Sequence, residues 1–271
     1  YIVRTMKLIG NAAPERAADA IMAFETEIAR ASWAIADRRD LGKINNPMSS
    51  AELAAYAPGL DWDAWFAGAG IAAQKRIIVN EKSALRDIAA VYARTPLGTI
   101  KLWQMFHVAN NAAPYLPKAF VDNRFEFAKA MSGVSEQRPR WKRGLTLVDG
   151  SLGELVGETY ARQYFPPSAK AKMEALVANL KLAMGDRIRG NSWMAPATKE
   201  AALAKLEKMD VMVGYPDKWR DYRSLKIDPA DLYGNVQRSA AFEYAYALSE
   251  LNQPVDRKKW SMNPQEVNAY N

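Results

Sequence analysis

The chain has 271 residues, of which 49% are hydrophobic and 25% are charged, a balance typical of a folded globular protein rather than a disordered one. Its net charge of +7 comes from 37 basic and 30 acidic residues that are mostly interleaved. The absence of cysteine excludes disulfides, thiolate catalysis and thiolate metal sites, and no apolar run approaches the roughly 20 residues of a membrane helix.

The first predicted element is a long amphipathic helix. Apolar residues recur at alternating spacings of three and four, which predicts a helix over residues 14–40 with one apolar stripe formed by Ile21, Phe24, Ile28, Ala31 and Ile35. Pro14 suits the first turn of this helix. The basic residues and the glycine of residues 38–42 are typical of its end.

Start and stop signals divide the middle of the chain into shorter elements. Ser49 and Glu52 form a capping-box pattern, which predicts a short helix from about residue 50. The pattern that follows predicts one short strand at residues 76–79. It then predicts helices at residues 81–110, with a break at 95–96, at 118–131 and at 140–148. Residues 149–150 are typical of a helix stop, and Ser151 with Glu154 predicts the cap of the next helix.

The last third of the chain continues the helical pattern. The helix that begins near residue 151 is expected to bury the side chains of Leu152, Leu155, Val156 and Tyr160. The next helix has an apolar stripe of Met173, Leu176, Val177, Leu180, Met184 and Ile188. A helix from about residue 196 is expected to bury Ala202, Leu206, Met209 and Val213. A final helix covers residues 233–252, and Asp228 is a candidate cap. The eight tryptophans and eleven methionines fall mainly on such stripes and are interpreted as core.

Few residues are suited to catalysis. His107 is the single histidine, whereas a catalytic zinc is held by about three protein ligands that normally include two histidines. A lone histidine between Phe106 and Val108 is more often a packed or capping residue. The glycines at 150, 153 and 157 lack the Lys-Ser/Thr of a phosphate loop, and Gly157 is expected to let two helices approach closely. The residues by themselves predict a mainly α-helical, multi-helix fold without its own active site.

Five segments in chain order resemble one known family. They are FETEIARASWAIADRRDLGKINNPMSSAELAAYAPGLDW at residues 24–62, APYLPKAFVDNRFEF at 113–127, RWKRGLTLVDGSLGELVGETYARQYF at 140–165, NSWMAPATKEAALAKLEKMDVMVGYPDKW at 191–219 and WSMNPQEVNAYN at 260–271. Together they resemble the neprilysin and endothelin-converting-enzyme family of zinc metallopeptidases. Two positions depart from the family pattern. Asn45 stands where an aromatic residue is expected, and Gly144 stands where animal members carry a disulfide cysteine.

The resemblance implies a zinc-dependent metalloendopeptidase that acts on short peptides. It implies that residues 1–258 form the helical lobe, incomplete at its N-terminus, that encloses the substrate cavity. Residues 259–271 would begin the thermolysin-like catalytic lobe with an edge strand near residues 267–270, and Asn268 and Ala269 would bind substrate. The zinc would be bound outside this segment, by an H-E-x-x-H motif that the chain lacks, so the chain would hold no metal and be inactive alone. The remaining catalytic lobe of the same protein is its expected partner.

Other interpretations stay open. The chain is alternatively a non-catalytic helical module that binds peptides or a protein partner. A nucleic-acid partner is not expected, because the short basic clusters at residues 138–143 and 256–259 lack exposed aromatics or a known motif beside them. The absence of cysteine and the glycine at position 144 suggest a bacterial protein, and bacterial relatives favour a periplasmic or other extracytoplasmic location.

Overall fold

The computed structural model describes residues 1–269. These residues are mainly α-helical, which confirms the predicted fold class, and their strands form one small two-stranded sheet. The chain separates into two compact units, unit 1 from Tyr1 to Gln137 and unit 2 from Arg138 onward. Within the described range, no helix has the length and apolarity needed to cross a membrane.

Unit 1 contains most of the shorter elements. Its helices are α1 (Ile2–Leu8), α2 (Pro14–Ala31), α3 (Leu41–Ile44), α4 (Ser50–Tyr56), α5 (Trp62–Gly68), α6 (Lys82–Arg94), α7 (Leu97–Ala112) and α8 (Lys118–Ser132). Its strands are β1 (Asn46–Met48) and β2 (Ile77–Val79). The predicted capping box begins α4, because the Ser49 side chain accepts from Glu52 N–H and the Glu52 carboxylate accepts from Ser49 N–H.

Two buried apolar clusters stabilise unit 1. One joins α1, α2 and α7 and consists of Met6, Ala17, Ile21 and Phe106. The other joins α4, α5, α6 and β2 and consists of Leu53, Ala57, Trp62, Phe66, Val79 and Ala89. The indole N–H of Trp62 donates to the Ala57 carbonyl at 2.7 Å, so its polar atom is satisfied inside the cluster.

The sheet contains one strand that the sequence pattern did not indicate. β1 and β2 pair antiparallel, with Asn46 opposite Val79 and Met48 opposite Ile77. The prediction at residues 76–79 is confirmed by β2. β1 was missed because Pro47 has no N–H for a sheet ladder, and proline is tolerated in a strand only at an edge such as this one.

The helix predicted over residues 14–40 is wrong beyond residue 31. α2 ends at Ala31, where Ser32 takes an extended conformation, and Ile35 is 73% exposed instead of extending the stripe. The indole N–H of Trp33 donates to Ser83 Oγ at 2.7 Å. This contact joins the chain just after α2 to α6, and no local signal in the sequence indicates it.

Unit 2 contains four helices in its described residues, α9 (Arg140–Tyr164), α10 (Pro167–Gly190), α11 (Pro196–Glu207) and α12 (Leu232–Ser249). The predicted stop at residues 149–150 lies two residues before a break in α9, because Leu152 has non-helical backbone angles (φ −134°, ψ 30°) and joins two helical stretches across a kink. A capping box would turn the Glu154 carboxylate toward Ser151. It accepts instead from the backbone N–H of Arg220 at 3.0 Å, so Glu154 contacts a distant segment of unit 2.

Several predicted core residues of unit 2 are exposed. On α10 the stripe residues Met173, Leu176, Leu180 and Met184 are 41–60% exposed, and on α9 Leu155 and Tyr160 are exposed as well. The tryptophans and methionines, which were also interpreted as core, are divided. Trp62 and Met6 in unit 1 are buried, whereas Trp65 in unit 1 and Trp141 and Trp193 in unit 2 are exposed. Helical spacing identifies the apolar face of a helix, whereas burial requires a second element against that face, so the core interpretation was wrong at these positions.

Two further boundaries in unit 2 differ from the prediction. α11 ends at Glu207, so Met209 lies beyond the helix and is exposed. The cap of α12 is Asp231, whose Oδ1 accepts from Gly234 N–H at 2.8 Å. Asp228, the predicted cap, accepts from Ala230 N–H at 2.9 Å in the preceding turn.

The end of the described chain is irregular. Residues 259–269 contain turns and bends but no strand, so the expected edge strand is not formed there, and Tyr270 lies outside the described residues. These residues fall within unit 2. Their assignment to a catalytic lobe stays a prediction.

Candidate functional site

Residues 259–269, called the C-terminal segment below, carry both predicted substrate-binding residues. The segment reverses direction over residues 263–266, where the backbone N–H of Glu266 donates to the Asn263 carbonyl at 3.0 Å. Asn followed by Pro264 is a residue pair favoured at the first two positions of a β-turn. Asn263 Nδ2 also donates to Glu266 Oε1 at 3.0 Å. The turn is therefore held by a backbone and a side-chain hydrogen bond.

The turn lies against a face of α9 that carries almost no side chains. Gly153, Gly157 and Ala161 recur every four residues, so they share one face, and all three are buried. A Cβ atom at position 153 would lie 2.3 Å from Asn263 Nδ2, and one at position 157 would lie 2.5 Å from Pro264 Cδ. The turn can approach this closely only because both positions are glycine. The expectation that Gly157 lets two helices approach is corrected, since its neighbour is the turn.

One side chain fastens the turn to α9. Gln265 Nε2 donates to Asp149 Oδ1 at 3.0 Å and to the Gly153 carbonyl at 3.2 Å. Two acceptors face this atom, which supports its assignment as the amide nitrogen. Gln265 Oε1 is buried and has no hydrogen-bond partner among the described residues. The bond to the Asp149 carboxylate is charge-assisted and is the stronger of the two.

Beyond the turn, Asn268 and Ala269 are exposed to solvent. Asn268 Oδ1 accepts from the backbone N–H of Ala269 at 2.8 Å. The two predicted site residues are neighbours in the chain, and they follow the fastened Gln265 by three and four residues. An amide side chain offers both a donor and an acceptor, and the small Ala269 leaves room for another main chain beside it.

A buried cation ties α9 to the rest of unit 2. The Arg220 side chain is 13% exposed, its guanidinium carbon lies 3.8 Å from the ring centre of Tyr246, and its Nη1 donates to Glu243 Oε2 at 2.9 Å. Its backbone N–H donates to Glu154 on α9. Burial raises the pKa of the neighbouring Tyr222 hydroxyl, and the positive charge of Arg220 partly offsets this rise. These contacts hold α12 and the loop before it against α9.

The described residues do not offer the ligands that a catalytic zinc requires. In residues 1–269 no three His, Cys, Asp or Glu side chains are grouped closely enough to hold a metal ion. His107 lies on α7, with Nε2 at 2.7 Å from Glu25 Oε1, and the same oxygen accepts from Trp103 Nε1 at 3.2 Å. The lone histidine therefore ties α7 to α2, which supports its interpretation as a packed residue.

Sequence reasoning missed the contact between α9 and the C-terminal segment. The available signal was the four-residue spacing of small residues at 153, 157 and 161, which indicates a close approach without identifying what approaches. Asp149 was interpreted as part of a helix stop, and Gln265 was not singled out. Both roles depend on residues more than 100 positions apart in the chain.

The chain is similar to a known protein family and to characterised relatives. A family model described as Peptidase family M13 matches residues 1–216. The neutral endopeptidase of Lactobacillus helveticus is 30% identical over 243 residues, which cover 89% of this chain and 38% of that protein. The endothelin-converting enzyme homolog of Locusta migratoria is 28% identical over 269 residues, which cover 93% of this chain and 37% of that protein. The chain therefore spans less than half the length of these relatives.

Solved structures share the fold. The cryo-EM structure of the Mycobacterium tuberculosis zinc metalloprotease ZMP1 in its open state matches with a TM-score of 0.91 and 39% identity, over 99% of this chain and 43% of that one. The crystal structure of the same protease in complex with an inhibitor matches with a TM-score of 0.91 and 38% identity, over 99% of this chain and 41% of that one. These matches confirm the resemblance to neprilysin and the endothelin-converting enzymes, and the chain belongs to peptidase family M13, a family of zinc metallopeptidases.

Proposed function

We propose that this chain forms the helical part of a zinc-dependent metalloendopeptidase acting on short peptides, and that Asn268 and Ala269 bind the substrate main chain. Membership of family M13 supports the reaction class, and a relative named as an endopeptidase supports cleavage within the peptide. One observation carries the proposed site. The turn at residues 263–266 is fixed to α9, while the two residues just beyond it are exposed.

An extended peptide binds well beside such a segment. Main-chain hydrogen bonds supply affinity that does not depend on the substrate's side chains. The Asn268 amide can donate to a substrate carbonyl and accept from a substrate N–H. The bond that Ala269 N–H now makes to Asn268 Oδ1 would be exchanged for one to the substrate, so binding costs little in unpaired groups.

We place the zinc outside the described residues, because these contain no suitable group of ligands. The helices would then enclose the space in which peptides bind, and the remaining catalytic lobe of the same protein would supply the metal ligands. The 271-residue chain by itself is expected to cleave no peptide and serves as the negative control below. Chelator-sensitive cleavage by this chain alone would contradict the proposal.

The substitution Asn268→Ala tests the site in the longer M13 protein that contains this chain. Loss of a hydrogen bond to the substrate should lower kcat/KM for a short peptide by a factor equivalent to about 1–3 kcal/mol. Zinc content and thermal unfolding should stay at the parent values. Asn179→Ala, an exposed change on α10, is the matched control and should leave kcat/KM unchanged. Parent kcat/KM in the Asn268 variant would show that this residue does not bind substrate.

The exposed apolar stripe of α10 favours the alternative function, a non-catalytic module that binds a partner or a peptide. The two functions differ in one measurement on the longer protein. Chelator-sensitive peptide cleavage supports the peptidase, whereas peptide binding without cleavage supports the module.

A further inference from the structure

We propose that Gln265 is a positioning residue, whose side chain fixes the C-terminal segment to α9 so that Asn268 and Ala269 are held in place for substrate. This inference rests on the proposed function of those two residues. It adds a role for Gln265 and for its partner Asp149, neither of which is proposed to touch substrate.

The distance along the chain makes this fastening effective. Asn268 follows Gln265 by three residues, and a fully extended chain covers at most about 3.6 Å per residue, or roughly 10 Å in all. Before the turn, Lys259 makes an exposed ion pair with Glu250 and lies 5.1 Å from the ring centre of Tyr246, and exposed ion pairs contribute little. In the described part of the chain, the amide of Gln265 makes the last hydrogen bonds from the segment to α9 before Asn268.

The chemistry of the contact indicates positioning rather than packing. Both hydrogens of Gln265 Nε2 are directed at acceptors on α9, Asp149 Oδ1 and the Gly153 carbonyl. Its Oε1 is buried opposite Gly157, with no hydrogen-bond partner among the described residues. An apolar side chain would fill this space without leaving a polar atom unpaired. Hydrogen bonds are directional, however, and they fix the orientation of the turn in a way that apolar packing does not.

The substitution Gln265→Glu tests the contact at nearly constant shape. It replaces both N–H donors by a carboxylate that faces the Asp149 carboxylate and the Gly153 carbonyl, so the turn should detach from α9. Because the chain lacks cysteine, a nitroxide on Val267→Cys, at a fully exposed position, reports the mobility of the segment by EPR. The spectrum should be motionally restricted with Gln265 and mobile in the Gln265→Glu chain. Gln253→Glu, the same change at an exposed turn position, should leave the spectrum restricted.

A second substitution separates loss of the contact from general unfolding. Asp149→Asn, added to Gln265→Glu, removes the repulsion and supplies an N–H donor to the new carboxylate. The label should return toward the restricted spectrum in the double variant, with far-UV circular dichroism constant throughout. A spectrum that stays restricted in the Gln265→Glu chain, or that is not rescued in the double variant, would overturn the role of this contact.

The consequence for substrate is measured in the longer protein. Gln265→Glu should raise KM by roughly tenfold with a smaller change in kcat. When Asp149→Asn is added to Gln265→Glu, KM should return partly to the parent value. If Asn268→Ala lowers kcat/KM but Gln265→Glu leaves KM at the parent value, the positioning role is overturned and the proposed function stands. If Asn268→Ala has no effect, the proposed substrate-binding role of Asn268 fails, and the positioning role falls with it even if the EPR result shows that the turn is fastened.

Discussion

Gly59 and Gly157 both allow a close approach, but to different kinds of atoms. A Cβ atom at position 59 would lie 2.0 Å from the backbone oxygen of Ala89 on α6. A Cβ atom at position 157 would meet side-chain atoms of Pro264 and Gln265. The backbone of a helix cannot rotate away as a side chain can, so a substitution at position 59 must shift α6 or the loop as a whole.

The substitution Gly59→Ala is expected to lower the free energy of unfolding of unit 1 by about 1–3 kcal/mol, the usual cost of overpacking. Urea unfolding followed by tryptophan fluorescence measures this change. Gly98→Ala on α7, where the added Cβ would meet nothing within 4 Å, is the control. It should be neutral or stabilising by up to about 1 kcal/mol, because alanine is the better helix former. Equal effects at the two positions would contradict the packing argument.

Local hydrogen bonds determine where α4 begins. Ser49 N–H donates to Glu52 Oε2 at 2.7 Å, and Ser49 Oγ accepts from Glu52 N–H at 3.2 Å. The bond from Ser49 N–H to the Glu52 carboxylate, together with one that Ser49 Oγ donates to the same oxygen at 2.9 Å, lowers the pKa of the Glu52 carboxyl. A carboxylate with a lowered pKa adds stability above its unfolded-state value near 4.3, and this stability is lost as the pH falls through the folded-state value.

The substitution Ser49→Ala should therefore destabilise the chain by about 1 kcal/mol at pH 7, the typical value for a lost helix cap. The difference from the parent should narrow below about pH 4, where the Glu52 carboxyl takes up its proton. Chemical denaturation at pH 7 and at low pH measures both effects. Ser50→Ala, one position further along, removes a hydroxyl from the first helical residue and should have little effect at either pH. A loss in the Ser50 variant as large as that in the Ser49 variant would contradict the cap.

Across the whole molecule, buried apolar side chains are unevenly distributed between the units. Of the buried Ala, Val, Leu, Ile, Met, Phe and Trp side chains in the described residues, all but Ala161 lie in unit 1. Gly185 is the one buried residue of α10, all of which the structure describes. In α2, by contrast, five residues are buried, Pro14, Ala17, Ala18, Ile21 and Phe24. Since burial of apolar surface is the main source of stability, unit 2 should open more readily.

Hydrogen–deuterium exchange of the 271-residue chain, read by mass spectrometry, measures this difference. Amides in the middle of α10 should exchange at least about tenfold faster than those in the middle of α2, which corresponds to ~1.4 kcal/mol in opening free energy. The two helices have similar backbone hydrogen bonding, so they form a matched pair within one sample. Equal protection of α10 and α2 would show that the exposed stripe of α10 does not weaken unit 2.

Several parts of the fold follow from the sequence because their causes lie within a few residues. The capping pattern of Ser49 and Glu52 predicted the start of α4, and Pro96 predicted the break between α6 and α7. The prolines at 166–167 likewise lie at the boundary before α10, and Pro167 is the first residue of that helix. Five segments in order also indicated family M13, and in the sequence only that resemblance indicated Asn268 and Ala269 as substrate-binding residues.

Tertiary structure decided which of these elements are buried and what holds the candidate site. Trp33, just beyond the end of α2, contacts Ser83 on α6, and the Glu154 carboxylate accepts from the Arg220 N–H instead of forming the predicted cap. The glycines of α9 pack against a turn and not against the second helix that was expected. A local pattern fixes the hydrogen bonds between residues three or four apart, and it also fixes which face of a helix is apolar. It does not specify which distant segment covers that face, because that choice depends on packing between residues that only folding brings together.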